Sequence, residues 1–184
     1  MSSPFRKPIQ ASSPAGTHPS GVDPATYRAT LRRHPAGVAI VTLTSASGPV
    51  GFTATSFASL SLSPPLISFN ITDTSSSMAG LRAAKSVLVH LLTEQQRDLA
   101  HTFSKSAEMR FADTTQWSSL ASGEPLLRNT THWLRAAVHQ LIPAGDSTLV
   151  VGLVTQTHSE ESAEPSPPLI YHDGIYMRTS PFPE

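Results

Sequence analysis

Cysteine is absent from the 184 residues, which excludes disulfides, thiolate metal sites and a cysteine nucleophile together. Charge is scarce and balanced, with 13 basic and 13 acidic residues and a formal net charge of zero. A nucleic-acid or anionic-membrane surface needs a basic excess, so neither partner is expected. No apolar run approaches the ~20 residues that span a bilayer; the runs are short pieces such as Leu149-Val150-Val151. Since no two glycines are separated by a single residue, a GxGxxG dinucleotide fingerprint is impossible. GxxxxGK[ST], HExxH and GxSxG are missing too. The eight histidines are scattered, with no i, i+3 or i, i+4 pair, so no metal site is expected.

What is present reads as one domain with a sizeable core. Residues 1–24 hold five Pro and five Ser. They cannot bury enough apolar surface to offset the entropy of ordering, so they read as a disordered tail. Arg6 and Lys7 give this tail a basic start. Without an apolar core segment it is not a secretory signal, and a cytoplasmic location is expected. Order begins at Asp23-Pro24, an N-cap followed by Pro at the first helical position. Tyr27 and Leu31 should give this helix one buried face, and it stops before Pro35.

The remainder of the domain, out to residue 180, is read mainly as strands. VAIVTLT at Val38–Thr44 is β-branched and reads as a strand, hairpinned through Ser45–Pro49 to a second at Val50–Thr55. Leu66–Ile71 and Val87–Leu92 are further strands, with a serine-capped helix over Thr74–Lys85 between them. Thr93 and Gln96 have capping-box spacing ahead of a helix carrying Leu99 and Phe103. Ser104–Asn129 looks irregular, anchored by Phe111 and Trp117. Two strands follow, Trp133–Ile142 and Thr148–Thr157, turned at Gly145-Asp146. After an acidic, Pro-rich loop over Glu160–Pro168, Leu169–Arg178 reads as a hairpin about Asp173-Gly174. Many strands with a few marginal helices make a mainly β chain, a barrel with α additions. There is no internal repeat.

Thr53, Ala54, Thr55 and Ser56 offer small side chains and backbone N–H groups, suited to close approach by a planar heterocycle; a plain Thr/Ser strand is the alternative reading. Ser75-Ser76-Ser77 can cap a helix and bind a phosphate at its free N–H groups, with Arg82, Lys85 or Arg110 adding charge. Phe103 at helical spacing from Leu99 reads as core by itself.

The ordered set of motifs is more specific than any of its parts. It comprises HPAGVAIVT at His34–Thr42, GPVGFTATSFASLSLSPPLISF at Gly48–Phe69, SVLVHLL at Ser86–Leu92 and QRDLAHTF at Gln96–Phe103. Arg110-Phe111 with Trp117, GDSTLVVG at Gly145–Gly152 and PLIYHDGIY at Pro168–Tyr176 complete it. From about Tyr27 to Tyr176 the chain resembles the small flavin reductases, the reductase components of two-component flavin-dependent monooxygenases.

The resemblance implies an FMN-binding split β-barrel, NADH or NADPH as reductant, FMN or FAD as acceptor, a homodimer, and a transient monooxygenase partner. It assigns Thr53, Ala54, Thr55, Ser56, Ser75, Ser77, His90, Phe103, Arg110 and Phe111 to the flavin. Gly145, Asp146, Ser147, His172 and Tyr176 fall on the nicotinamide side. Three positions depart from the pattern. Ser147 stands where the family has His, His90 where Asn is frequent, and Ala136 where Cys is common. The Ser147 departure motivates an alternative, a flavin-binding protein without reductase activity. A split barrel recruited to another small-molecule reaction is the third reading.

Overall fold

A computed structural model describes residues 21–160, 166–180 and 182. Residues 1–20 of the tail expected over residues 1–24, and residues 161–165 of the acidic loop, lie outside these. After helix α1 (Pro24–Leu31) and the short β1 (Ala36–Gly37), the chain lays down β2 (Ala39–Ser45) and β3 (Gly48–Ala54) as a hairpin. Next come β4 (Ala58–Leu62), β5 (Pro65–Thr72), α2 (Met78–Ala83) and β6 (Ser86–Leu91). A 3-10 turn (Glu94–Gln96) leads into α3 (Arg97–Phe103) and α4 (Ala107–Arg110). A small pair, β7 (Trp117–Ser119) and β8 (Pro125–Leu127), precedes the long hairpin β9 (His132–Ala144) and β10 (Ser147–Ser159). The C-terminal hairpin is β11 (Ile170–His172) and β12 (Ile175–Met177).

Seven strands form one antiparallel sheet in the order β3-β2-β6-β9-β10-β5-β4. Its concave side encloses a core of Val41, Leu43, Phe52, Ile67, Phe69, Val87, Val89 and Val150. β2 is apolar at consecutive positions because it is covered on both faces. Its other face, with Ile40, packs against Leu92, Ala100, Phe103, Leu127 and Leu169. Gly152 lets β10 press close to its neighbours: a Cβ there would lie 3.0 Å from Ala136 Cβ. Ala136 is fully buried, so its small side chain is a packing requirement.

The sheet does not close, and the fold is a split β-barrel. Residues 55–57 carry the chain from one edge strand, β3, to the other, β4. β4 pairs with β5 only as far as Ser68. Beyond it the Ser56 hydroxyl takes the place of a strand, accepting from Asn70 N at 2.8 Å and donating to Asn70 O at 3.4 Å.

Several sequence expectations need correction. Asp23 caps α1 as expected, accepting from Ala25 N and Thr26 N at 3.0 Å. No residue of α1 is buried, however, and Tyr27 and Leu31 are exposed, because the helix lies outside the barrel. The helix expected over Thr74–Lys85 contracts to α2, and no serine hydroxyl caps it. Ser75 and Ser77 instead build a turn in which Ser75 Oγ accepts from Ser77 N. β4 was not anticipated, since its serines hid an exposed edge strand. The Thr93–Gln96 capping box is present but heads a 3-10 turn, with Thr93 N donating to Gln96 Oε1 at 2.7 Å.

Candidate functional site

The split between β3 and β4 opens into a groove of about 730 Å³, within the usual range for small-molecule sites. Thr55, Ser56, Phe57 and Ala58 line it from the β3–β4 connection. Asp146 reaches it from the β9–β10 turn, Tyr171 and His172 from β11, and Tyr27, Arg28, Leu31 and Arg32 from α1. Thr55 and Ser56 thus meet Asp146 and His172, which are about ninety residues or more away in the chain.

The donors here are distinctive. Residues 55–57 belong to no strand, and among the described residues their backbone N–H groups donate to no carbonyl. Three consecutive N–H groups and the Thr55 hydroxyl are therefore left without a protein partner among the described residues, on a segment that lines the groove. Such a donor row fits the polar edge of a heterocycle that carries carbonyl and ring-nitrogen acceptors. Phe57, Tyr27, Tyr171 and His172 add flat surfaces for stacking.

A second polar cluster sits at the middle of β3, around Gly51. Arg110 Nη1 donates to Gly51 O at 2.8 Å and to Ser77 Oγ at 3.2 Å, while Nε and Nη2 donate to Lys105 O. Residues 51, 77 and 110 converge here through three different elements. Desolvation lowers the Arg110 pKa from its ordinary value, with Glu108 opposing the shift. Gly51 is required by close approach, since a Cβ there would lie 2.7 Å from Phe103 Cε1 and 3.0 Å from Phe111 Cζ. Thr53, near the C-terminal end of the strand, donates to Ala100 O at 3.3 Å. Gly51 and Thr55 are four positions apart, so the two polar clusters lie roughly 13 Å apart along the extended chain.

Other sequence-nominated residues fall elsewhere. His90 does not line the groove: it is fully buried, between Thr42 Oγ1 at 3.2 Å and Thr130 Oγ1 at 3.1 Å. Burial pushes its pKa down to about 3, with the Pro125 carbonyl opposing. Phe103 is core rather than a ligand wall, packed edge-on against Phe111 at 5.1 Å. Ala54 is likewise buried. Tyr176 stands off the groove among Glu94, Arg97 and Leu169, and its pKa is raised by burial and then by Tyr171. Tyr171, its cross-strand partner, is the tyrosine that enters the groove. Gly145 takes the turn at φ 68° and does not line the groove, nor does Ser147, whose hydroxyl donates to Asp146 Oδ1 at 2.9 Å.

The α1 wall was missed by sequence reading. Arg32 Nε pairs with Asp173 Oδ1 at 3.2 Å, its Nη2 donates to Asp173 O at 3.4 Å, and Asp173 N donates to Arg32 O at 3.0 Å. Gly174 at φ 86° leaves room for this guanidinium, where a Cβ would lie 2.8 Å from Nη2. The available signal was the i, i+4 spacing of Arg28 and Arg32, on one helical face with the apolar positions. No described helix is long and apolar enough to cross a membrane.

The family model for the flavin reductase like domain matches residues 31–180. A Rhodococcus qingshengii protein named NADH:FMN oxidoreductase is 57% identical over 163 residues, covering 88% of this chain and 85% of its own. The reductase subunit HsaB of a flavin-dependent monooxygenase from Mycobacterium tuberculosis is 32% identical over 160 residues, covering 87% and 84%. Among solved structures, a flavin reductase domain protein from Arthrobacter sp. FB24 superposes with a TM-score of 0.80 at 32% identity. It covers 87% of this chain and 98% of that one.

Proposed function

The chain belongs to the flavin reductase-like family, and from that premise we propose that it is an NADH:FMN oxidoreductase serving a separate flavin-dependent monooxygenase. The observation that carries this reading is the groove itself. Residues 55–57, whose backbone N–H groups have no protein partner among the described residues, line the same space as Asp146 and His172, so one ligand can be held edge-on and a second stacked against it. The two ligands supply the chemistry, a hydride passing from the nicotinamide C4 to the flavin N5, which leaves oxidised nicotinamide and reduced flavin.

The protein's task is orientation and exclusion of water. Thr55 and the backbone N–H groups of residues 55–57 bind the flavin's polar edge. Ser56, held by Asn70, fixes the connection that presents them. Arg110 and Ser77 bind the flavin phosphate beside the middle of β3, ~13 Å along the chain from Thr55. Asp146 accepts from the nicotinamide carboxamide, and His172 with Tyr171 packs the ring. No general acid or base is required. Ser147 turns toward Asp146 and away from the groove, which supports a working reductase over a silent flavin binder.

FMN and NADH are preferred over FAD and NADPH in this reading because the 57% identical relative bears that name. The exposed Tyr27, Leu31, Leu60 and Leu62 support a homodimer that covers them. We place the protein in the cytoplasm, where reduced pyridine nucleotide is available. The test is NADH consumption with FMN, FAD or riboflavin added in turn. Turnover with FMN exceeding that with riboflavin is expected; absence of turnover with all three sinks the reading.

A further inference from the structure

Two arginines line the groove among the described residues, and only one of them is occupied. Arg32 is committed to Asp173 through its ion pair and hydrogen bonds. Arg28, one turn earlier on the same face of α1, makes no side-chain hydrogen bond or ion pair with any described residue. Two like charges at i, i+4 destabilise a helix slightly, and α1 has no buried residue to compensate. An anion between Arg28 and the groove would relieve that repulsion.

The flavin phosphate is not the occupant in the reductase reading, because the Arg110–Ser77 cluster beside Gly51 serves it. Asp146, a groove carboxylate that makes no ion pair with a described residue and accepts from the Ser147 hydroxyl, comes from a different element and suits the neutral carboxamide of a nicotinamide. A dinucleotide with its carboxamide at Asp146 must still place its pyrophosphate somewhere along the groove walls. We propose that Arg28 binds the pyrophosphate of the pyridine dinucleotide, making α1 the wall that selects a nucleotide reductant. Arg32 is the positioning residue: by holding Asp173 at the β11–β12 turn it sets α1, and so Arg28, against the groove. This inference rests on the reductase reading given above.

The test compares wild type with Arg28→Gln, a substitution that keeps helix propensity. Each is assayed with FMN and either NADH or N-benzyl-1,4-dihydronicotinamide, which carries no phosphate. A charged hydrogen bond to phosphate is strong enough that the ratio of kcat/KM for NADH to that for the benzyl compound should fall roughly tenfold. Calorimetric titration of both proteins with NAD+ in the presence of FMN supplies a readout without turnover, and Arg28→Gln should bind more weakly by a similar factor. An unchanged ratio with equal NAD+ affinities overturns the proposal. So does an equal loss with both reductants, which would mean that Arg28 only shapes the groove. If wild type oxidises neither reductant, the reductase reading fails, and the NAD+ titration still decides whether Arg28 binds the dinucleotide.

Discussion

Arg110 shows how a side chain can organise two parts of a site. Its guanidinium ties Lys105 O, Gly51 O and Ser77 Oγ together, so removing it loosens α4 as well as subtracting a charge. Arg110→Met should weaken FMN binding by at least tenfold, since hydrogen bonds to charged groups are each worth about 1.5–3 kcal/mol. Riboflavin, which has no phosphate, should be affected far less, as fluorescence titration of both flavins would show. His90 makes a contrasting case, because its ring is buried and plays no part in the groove. Its folded pKa of about 3 lies below the ordinary 6.5, so the unfolded chain takes up the proton first. The stability contributed by the neutral ring is complete above pH 6.5 and is lost as pH falls toward 3. The ceiling is on the order of 4 kcal/mol. His90→Asn should therefore flatten the decline in urea midpoint between pH 7 and pH 4; a decline identical to wild type would contradict this.

At the scale of elements, the strands were the most legible part of the sequence. VAIVTLT and STLVVGLV advertise strands by β-branching, and Asp173-Gly174 advertises the C-terminal turn. β4 escaped because an exposed edge strand rich in serine has no apolar signature. α2 was overextended because serines that form a turn look like serines that cap a helix. The site was legible where it rests on the β3–β4 connection and the two later turns. It was illegible where it depends on which side of a hairpin faces the groove, as with Tyr171 and Tyr176.

The segment carrying β7 and β8 was expected to be irregular, yet a buried ion pair pins it. Glu124 Oε1 meets Arg135 Nε at 2.8 Å, and Ser86 and Ser122 donate to the same carboxylate. Desolvation raises the Glu124 pKa, but the hydrogen bonds from Ser122 and Ser86 together with Arg135 outweigh it, and the group ends below its ordinary value. Glu124→Gln should cost about 2 kcal/mol by removing the charge opposite Arg135, which keeps its hydrogen bonds to Ser86 and Thr155. Denaturant unfolding would measure this, with flavin affinity preserved in the folded variant. Gly51→Ala tests the other end of the element packing. Displacing Phe103 and Phe111 should cost roughly 1–3 kcal/mol and weaken FMN binding through Arg110; an unaltered melting point would contradict the close approach.

On the scale of the whole molecule, the groove is walled on one side by a helix that buries nothing of its own. Exposed Tyr27 and Leu31 on α1, with Leu60 and Leu62 on β4, leave apolar surface that a second copy would cover. Sedimentation should give about twice the 19.6 kDa chain mass. A monomer at micromolar concentration would leave α1 without a partner and contradict the dimer.

The split barrel, the donor row at residues 55–57 and the opposing Asp146 and His172 converge on one claim: the groove aligns a nicotinamide with a flavin for direct hydride transfer. The most direct test is anaerobic mixing of the protein and FMN with NADH deuterated at either C4 position. The account predicts bleaching of FMN that slows severalfold for one of the two isotopomers only, because a chiral groove presents a single face of the ring. Bleaching with no isotope preference between the two faces, or no bleaching at all, would contradict it.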